Sequence, residues 1–600
     1  MYKPLILCMT ECMPNRPPKP PSSARASGQA LDLPADFGDY KVACLPVIAH
    51  FLQKLGVVAL IDKEVDSPRN ISSGQVVAGM VMDTLSGRSP LYKLHEFFEG
   101  QDTMLLFGAD LSPEDFNDNN VGKVLDNIHA YGAFKLFSQV SWQACRRNNL
   151  DTRFLHYDTT SVSVYGDYRA YAEETGQTIA VTYGHSKDKR PDLKQFMVEA
   201  LCVEGAVPLL GAVLSGNTSD KKANNAELTR VASHLRKHGL DPAAHIYVAD
   251  SALVSPQNLE ALRAQPFITR LPATYNAEQA SIAEAIDRGE WEDLGTLAEN
   301  PDPSRNRPSA RYKIAETTLE IDGTTYRAIV VHSSAHDKRR ARKLEKQIAA
   351  EKEAFAKLDK ATLREPLACA ADARRGADAL LKAHRYVHHT LEASVQAEPV
   401  YARGRPKEGQ PRKVTGHRYR IHLSLRENSE AIARERELAG CFVLLSNVPA
   451  ADQPDGLDAA AILRAYKAQN GVEMNFRFLK DPVIVNETFL KKAERIEALG
   501  FILLLSLMVW NLIQKALREH LDKHSKSILG WDKKQTRRPT TLMVLFYFQH
   551  VSVFKWDEGR NRRLSRPLLP HQRDYLQALG LPESIFVTPV PLTIPPKIKK

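Results

Sequence analysis

Apolar residues recur every three or four positions through the first quarter of the chain, which is the spacing of one face of an α-helix. The stretch LPVIAHFLQKLGVVALIDKEV, which begins at Leu45, shows this spacing. The stretch SSGQVVAGMVMDTLSG opens with serines that can cap a helix and ends on Gly87, a helix stop. Another helix starts after Pro113. The pattern therefore predicts a helical N-terminal region over residues 43–150.

From residue 154 the pattern changes to short apolar runs rich in β-branched and aromatic residues, which favour strands. The first three runs are RFLHYDTTSVSVYG, QFMVEALCVEG and AVPLLGAVLSG, with Glu204 and Gly205 as a hairpin turn between the last two. A helix, the strand AHIYVAD, a second helix and the strand PFITRL follow. Hairpin strands followed by strand–helix–strand crossovers predict a mixed sheet with helices on its faces, in the α/β (α+β) class.

Beyond Pro272 the regular alternation of strands and helices stops. Two strand-like runs flank the turn Asp322–Gly323, and the charged residues 336–395 have the pattern of a helical hairpin. A helix, DAAAILRAYKAQNGVEMNFRFLKDP, then ends before Pro482. The apolar run from Ala498 to Ile513 is shorter than the ~20 residues that span a bilayer. We therefore predict a buried core helix there and no membrane contact.

The composition indicates the kind of binding partner and the cellular compartment. The 600 residues include 81 Lys and Arg against 71 Asp and Glu, a formal charge of +10, which suggests a polyanionic partner. The seven cysteines show no zinc or CxxC spacing, which argues against a disulfide scaffold and zinc fingers and fits a reducing compartment. The start of the chain lacks the basic segment and cleavage site of a signal peptide, so we expect a cytoplasmic protein.

Two aspartates lie where a sheet would bring them together. Asp158 is inside the first predicted strand and Asp250 ends the fourth, and these strands can be neighbours in a hairpin-plus-crossover sheet. A single aspartate near a strand end is usually a turn former or a helix cap. Two close carboxylates repel unless a cation lies between them, and such hard oxygen ligands suit Mg²⁺ or Mn²⁺. A pair of these ions activates an attacking oxygen and stabilises a leaving one in phosphoryl transfer.

A third acid comes from the helix before Pro482. At 100° per residue one polar stripe contains Tyr466, Gln469, Asn470, Glu473, Arg477 and Lys480. An apolar stripe beside it contains Ala465, Ala468, Val472, Phe476 and Leu479. Taken alone, this is an ordinary amphipathic helix with an i,i+4 pair between Glu473 and Arg477.

The spacing Tyr466-x2-Gln469-x3-Glu473-x6-Lys480 resembles the Y-x2-R-x3-E-x6-K signature of a large group of bacterial insertion-sequence transposases with an RNase H-like core and a DDE triad. The segments YDTTSVSVYG, SGNTSD, YVADSALVSPQNL and VEMNFRFLKDP are similar to that group and occur in the same order. The resemblance implies that Asp158, Asp250 and Glu473 are the catalytic, metal-binding triad. It implies DNA contacts by Tyr466 and Lys480, and by the signature arginine position, which is Gln469 here, with Arg477 as a compensating charge.

The resemblance implies a transposase that binds the terminal inverted repeats of its element, cuts their 3′ ends and joins them to target DNA. Its cofactor would be Mg²⁺, with Mn²⁺ as an alternative, as two ions. Its partners would be double-stranded DNA and a second copy in a homodimer, in the nucleoid of a bacterial cytoplasm. Two alternative functions remain. An RNase H-like nuclease or resolvase would have the same triad, and a non-catalytic protein derived from a transposase would still bind DNA.

Trp291 is the only tryptophan between the second and third acids. Two roles are open for this residue. Tryptophan is highly buried on average, so the first role is an anchor for a small β core. In related transposases that cut through a hairpin, a tryptophan of the inserted domain stacks on a flipped base, which is the second role, a DNA contact.

The predicted domain organisation joins these elements in chain order. It comprises a disordered tail (1–42), a helical DNA-binding domain (43–150), the first part of an RNase H-like core (151–272), an insertion of strands and a helical hairpin (273–450), the final core helices with the catalytic glutamate (451–525) and a C-terminal region (526–600).

Overall fold

The computed structural model describes residues 37–590, except 69, 88, 165–178, 188, 298–308, 336–337, 365, 405, 407–408, 481–489 and 491. Within these residues the chain is a mixed α/β protein with a mixed sheet and a helical N-terminal region, so the predicted fold class is confirmed. Most of the predicted tail, residues 1–36, lies outside the described part. Its last residues form a strand, β1 (Gly38–Tyr40), which pairs with β15 (Val553–Trp556) near the other end of the chain.

The N-terminal helices pack into the main core of the protein. The capping box that Ser72 and Gln75 form fixes the start of the most buried of them. Gly56, with a φ of +65°, lets the chain turn between the first two. These helices share one apolar core with the sheet and with a long C-terminal helix. They are α1 (Leu45–Leu55), α2 (Val57–Glu64), α3 (Ser73–Ser86), α4 (Leu94–Glu99), α5 (Thr103–Phe107), α6 (Asp118–Tyr131) and α7 (Ala133–Asn148).

The centre of the protein is a nine-stranded sheet whose first five strands follow the predicted order of elements. Three antiparallel strands lead into two parallel ones, in the spatial order β4-β3-β2-β5-β6. The helices α8 (Asp220–Lys237) and α9 (Pro256–Ala261) form the crossovers. The strands are β2 (Phe154–Val164), β3 (Lys194–Val203), β4 (Val207–Ser215), β5 (Ile246–Ala249) and β6 (Phe267–Arg270).

The segment predicted as an insertion, residues 273–450, extends this sheet. Four of its strands add to the β6 edge in the order β12-β9-β8-β7, all antiparallel. The helix α10 packs on them, because its apolar side meets β8, β9 and β12. These elements are α10 (Asn276–Arg288), β7 (Glu292–Thr296), β8 (Arg311–Ile321), β9 (Thr324–Ser333) and β12 (Cys441–Ser446).

The rest of that segment forms a separate arm with a small core of its own. Two charged helices pack against one end of a long two-stranded hairpin. The arm therefore leaves the large sheet after β9 and returns to it at β12. It consists of α11 (Lys338–Thr362), α12 (Ala370–Ala383), β10 (His389–Tyr401) and β11 (Val414–Glu427), with α13 (Ser429–Ala439) leading back.

The predicted helix before Pro482 is two helices, α14 (Ala459–Ala468) and α15 (Asn470–Leu479), which meet at Gln469. The apolar run at 498–513 lies in α16 (Ala493–Lys523). This helix is long and apolar enough to cross a membrane, but 89% of its most apolar window is buried inside the protein. Small elements then complete the chain: β13 (Ile528–Leu529), β14 (Gln535–Thr536), α17 (Thr541–Phe548), β16 (Asn561–Leu564) and α18 (Pro570–Leu579).

Candidate active site

Asp158 and Asp250 lie at the same level on neighbouring parallel strands. His156 of β2 pairs with Val248 of β5. Continuing this register by two residues brings Asp158 beside Asp250, which directly follows the last residue of β5. Because adjacent strands are about 4.8 Å apart, the two carboxyl groups project from neighbouring points of the backbone.

Both aspartates belong to the face of the sheet that α14 covers. Val248 packs in one apolar cluster with Leu463 of α14, and strand residues two positions apart share a face. His156, on the same face, is buried, and burial lowers the pKa of its imidazole to about 4. The imidazole is therefore neutral at physiological pH and brings no positive charge to Asp158.

The nearest recorded cation to Asp158 comes from the β2–β3 connection. Lys187 Nζ lies 3.8 Å from Asp158 Oδ1, and that oxygen also accepts a hydrogen bond of 2.7 Å from the Thr159 amide. The same ammonium donates to the Thr159 carbonyl at 2.6 Å, and the Lys187 amide donates to Ser161 Oγ at 3.0 Å. These hydrogen bonds hold Lys187 against β2. Sequence reasoning did not single out Lys187, and its basic run KDKR was the available signal.

Asp250 also serves as a local cap. Its Oδ1 accepts a hydrogen bond of 3.0 Å from the Ala252 amide at the start of a short 3₁₀ turn. Its carbonyl accepts one of 2.7 Å from Thr269 Oγ1 on β6. The structure thus gives this residue the ordinary capping role of an aspartate at a strand end as well as a place beside Asp158.

Gln469 is not on the exposed stripe that a continuous helix predicts. The chain tightens where α14 meets α15, since the Val472 amide bonds to the Gln469 carbonyl at 2.9 Å in a 3₁₀ pattern. The Gln469 side chain is 7% exposed, and its Nε2 donates to the carbonyl of Tyr157 at 3.2 Å. The amide thus ties the helix junction to the strand residue that precedes Asp158, and it is not exposed for the predicted phosphate contact.

The other predicted residues of the stripe remain on or near the surface. Glu473 is exposed in the first turn of α15, and Arg477 is exposed one turn later. Lys480 is half-buried directly after the helix. Val472, Phe476 and Leu479 are buried on the opposite side, whereas Ala468 of the predicted apolar stripe is exposed.

Tyr466 lies near enough to all three acids for their charges to act on its hydroxyl. The pKa of its hydroxyl is raised to about 12, mainly by burial. The positive charge of Arg270 lowers this pKa, and the negative charges of Asp250, Glu473 and Asp158 raise it. One side chain at the end of α14 is therefore within electrostatic reach of all three carboxylates. Arg270 belongs to the same neighbourhood, because the β5–β6 register places it next to Asp250.

The donor chemistry of these acids suits a hard divalent ion, because Mg²⁺ and Mn²⁺ prefer carboxylate oxygens. Asp158 and Asp250 are the residues that would hold such an ion, with Glu473 as the third ligand. In the part of the chain that the structure describes, no group of three or more His, Cys, Asp or Glu side chains is close enough to form a metal site as it stands. Glu473 would therefore have to move toward the two aspartates for all three acids to hold one ion.

A second acidic cluster occupies the opposite face of the same strands, and sequence reasoning missed it. Glu199 of β3 and Glu227 of α8 both form ion pairs with Arg230, and Tyr157 Oη donates to Glu199 at 2.9 Å. Burial raises the pKa of both carboxyls, that of Glu227 to about 8. Burial and the nearby carboxylates also raise the pKa of Tyr247. The available signal was an acid inside the apolar run QFMVEALCV.

Trp291 precedes β7 and is half-buried. It packs against the main core, and its ring meets that of His332 edge-on, with centroids 6.1 Å apart. These contacts suit the structural role as an anchor for β7, β8 and β9. No recorded contact within the described residues joins Trp291 to any of the three acids.

Comparison with known proteins adds one match, in the N-terminal region. Residues 39–142 match the family of a domain of unknown function, DUF4277. This domain is found in transposase-like proteins. No curated protein matched the sequence. The matched residues contain α1 to α6 and most of α7. Of these helices, α1, α3, α6 and α7 pack against α16.

Proposed function

We propose that this protein is a DDE transposase, which binds the terminal inverted repeats of an insertion sequence and catalyses metal-dependent cleavage and strand transfer of DNA. The observation that carries the proposal is the common neighbourhood of Asp158, Asp250 and Glu473 around Tyr466. The strand order β4-β3-β2-β5-β6, with three antiparallel strands leading into two parallel ones, agrees with the RNase H-like core that the resemblance implies. The match of the N-terminal helices to a domain of transposase-like proteins supports the same class.

The chain's own residues would act by position and charge. Asp158 and Asp250 would hold the metal from fixed strand positions, and Glu473 would complete the ligand set from α15. A bound Mg²⁺ or Mn²⁺ supplies activation of the attacking oxygen and stabilisation of the leaving oxygen in an in-line displacement at phosphorus. Gln469 would keep α15 in register with β2 through the Tyr157 carbonyl. Arg477 and Lys480 lie after Glu473, where their charges would meet the DNA backbone.

The test uses purified protein and a linear DNA fragment that carries both genomic flanks of the coding sequence. Asp158→Asn, Asp250→Asn and Glu473→Gln should each abolish Mg²⁺-dependent 3′ nicking and leave DNA affinity within about twofold, because they remove metal ligands and not phosphate contacts. Glu260→Gln is the matched control, since Glu260 is an exposed acid of α9 that pairs only with the exposed Arg263 in the recorded contacts.

The products separate the candidates. Joining of the cut 3′ ends to a target plasmid supports the transposase. Nicking without joining supports a nuclease or resolvase. DNA binding without nicking, in both Mg²⁺ and Mn²⁺, supports a non-catalytic DNA-binding protein and overturns the proposed function. Near-normal nicking by any one of the three acid variants removes that residue from the site.

A further inference from the structure

The hairpin of β10 and β11 is long, and only half of it has a partner in the described chain. Its strands pair from His389–Glu427 at one end to Tyr401–Val414 at the other, with one register shift between Val400 and Tyr401. Near the base Ile421 and Leu423 are buried against α12. Beyond the base the strand residues are mainly exposed on both faces, and at the far end Tyr401 and Val414 are each 45% exposed.

This outer half is not the kind of element that stability alone explains. A lone two-stranded hairpin is marginally stable in water. The base is fixed by the Leu367–Tyr419 bridge, by an ion pair of 2.8 Å between Arg420 and Glu398, and by a bond from Arg420 to the Leu363 carbonyl. The four residue pairs beyond Ala397 and Tyr419 project about 14 Å further, at 3.4 Å per residue.

The outer half is strongly basic. The residues that connect the two strands, ARGRPKEGQPRK, contain five Lys or Arg and one Glu. Four of the outer cations are exposed and make no recorded ion pair with another described residue: Arg403, Arg412, Lys413 and Arg418. Glu398, the one acid in the outer strands, is already engaged by Arg420. The projecting end thus carries an excess of positive charge, and the four named cations have no ion-pair partner among the described residues.

We propose that the outer half of this hairpin, strand residues 398–401 and 414–418 with the adjoining cations Arg403, Arg412 and Lys413, binds duplex DNA as a two-stranded ribbon. This inference rests on the proposed function only in taking DNA as the substrate. The B-DNA major groove, about 12 Å wide, admits a two-stranded ribbon, and phosphates line both of its edges. Cations along the ribbon then meet phosphates while the exposed Tyr401 and Val414 lie toward the groove. Basic side chains of this kind bind by releasing counterions, which makes the affinity fall with salt.

The test compares two sets of four substitutions that remove the same charge from the same arm. The hairpin set is Arg403→Gln, Arg412→Gln, Lys413→Gln and Arg418→Gln. The control set is Lys346→Gln, Lys360→Gln, Arg374→Gln and Lys382→Gln, which changes exposed cations of α11 and α12. A third variant replaces residues 399–417 by Asn-Gly, a two-residue turn that recloses the shortened hairpin.

Affinity for the duplex fragment is measured by fluorescence anisotropy without divalent metal, over about 50–300 mM salt. The hairpin set should bind at least about tenfold more weakly near 150 mM salt, with a salt slope reduced by two to four phosphate contacts. The shortened hairpin should behave alike, and the control set should stay within about threefold of the wild type. Unchanged melting temperatures for the variants exclude loss of folding as the cause.

The ribbon proposal is overturned if the control set weakens DNA binding as much as the hairpin set does. It is also overturned if the hairpin variants keep the wild-type affinity and salt slope. Tighter binding of the wild type to duplex RNA than to duplex DNA also overturns it. The proposed function is judged separately, by Mg²⁺-dependent nicking. If the hairpin variants bind normally while the wild type nicks DNA, the ribbon fails and the transposase stands. If the hairpin variants lose affinity while the wild type never nicks, the ribbon stands and the transposase fails.

Discussion

The two faces of the central strands carry acids in contrasting surroundings. On one face Glu199 and Glu227 are each 1% exposed and share Arg230 as an internal counter-charge. On the other face Asp158 is 20% exposed, beside Asp250, and the nearest recorded cation is a lysine 3.8 Å away on a connecting segment. The same strand thus places Tyr157 toward the buried cluster and Asp158 toward the open one.

The contrast distinguishes a structural acid from one available to a ligand. A buried carboxylate persists when the chain supplies its counter-charge and hydrogen bonds, because an uncompensated buried charge is very costly. Acids that stay partly exposed, such as Asp158 beside a solvent-accessible lysine, keep their capacity to bind an external cation. We therefore propose that the Glu199–Glu227–Arg230 cluster stabilises the fold and that the Asp158 face binds the metal.

The largest expected difference between the faces is in activity. Asp158→Asn and Asp250→Asn should lower the rate of DNA nicking by roughly 100-fold or more, since a catalytic metal is worth several kcal/mol to the transition state. Their melting temperatures should match or exceed that of the wild type, because repulsion between the two carboxylates is removed. Single-turnover nicking and thermal denaturation measure the two effects. If nicking activity and melting temperature both fell, these aspartates would be structural residues, like Glu199.

Removing Arg230 should have the opposite profile. Arg230→Met leaves buried carboxylates without their counter-charge and should cost about 3–5 kcal/mol of unfolding free energy. Arg236→Met, on the same helix at an exposed position, should cost less than about 0.5 kcal/mol. Urea denaturation measures both. A small loss for Arg230→Met would mean that the buried cluster does not depend on this counter-charge.

The buried face should also respond to pH. Burial raises the pKa of Glu227 to about 8, so the folded state holds a proton that the unfolded chain releases near the usual glutamate pKa of about 4.3. Its contribution is therefore most favourable at low pH and is lost as the pH rises toward 8. Glu227→Gln should gain stability relative to the wild type, on the order of a few kcal/mol, between pH 5 and pH 8.5. A pH-independent difference between the two proteins would show that Glu227 does not titrate in this range.

The smallest expected effect concerns Lys187. Its ammonium beside Asp158 competes with a divalent ion for the same carboxylate, so Lys187→Met should lower the Mg²⁺ concentration for half-maximal nicking by about two- to tenfold. Lys189→Met, an exposed substitution on the same connection, should leave it unchanged. A raised Mg²⁺ requirement in Lys187→Met would indicate that the lysine helps to hold the site instead of competing with the metal.

Sequence patterns predicted the fold class and the neighbouring positions of Asp158 and Asp250 better than they predicted the helix before Pro482. The hairpin and crossover order of β2 to β6 follows from apolar runs and turns, which are local signals. The position of Gln469 does not, because the chain tightens locally where α14 meets α15, and the residue at that junction departs from an ideal 100° wheel. The wheel therefore assigned a buried amide to the exposed stripe.

The buried cluster shows a second limit of local patterns. Asp158 and Glu199 are both acids inside apolar strands, so the same signal marks a candidate metal ligand and a structural residue. What separates them is Arg230, which lies 31 residues along the chain from Glu199 and reaches it only after α8 has packed on the sheet. Lys187 was missed for the same reason, because it lies 29 residues (187 − 158) from Asp158 along the chain and approaches it only in the folded structure.

Metal binding itself tests the assignment of the two faces most directly. Free Mn²⁺ is followed by electron paramagnetic resonance as the protein is added, with and without the duplex fragment. We predict that the wild type and Glu227→Gln bind Mn²⁺ with the same affinity in the DNA complex. The double variant Asp158→Asn and Asp250→Asn should lose this binding. Retained Mn²⁺ binding in the double variant, or its loss in Glu227→Gln alone, would contradict the account.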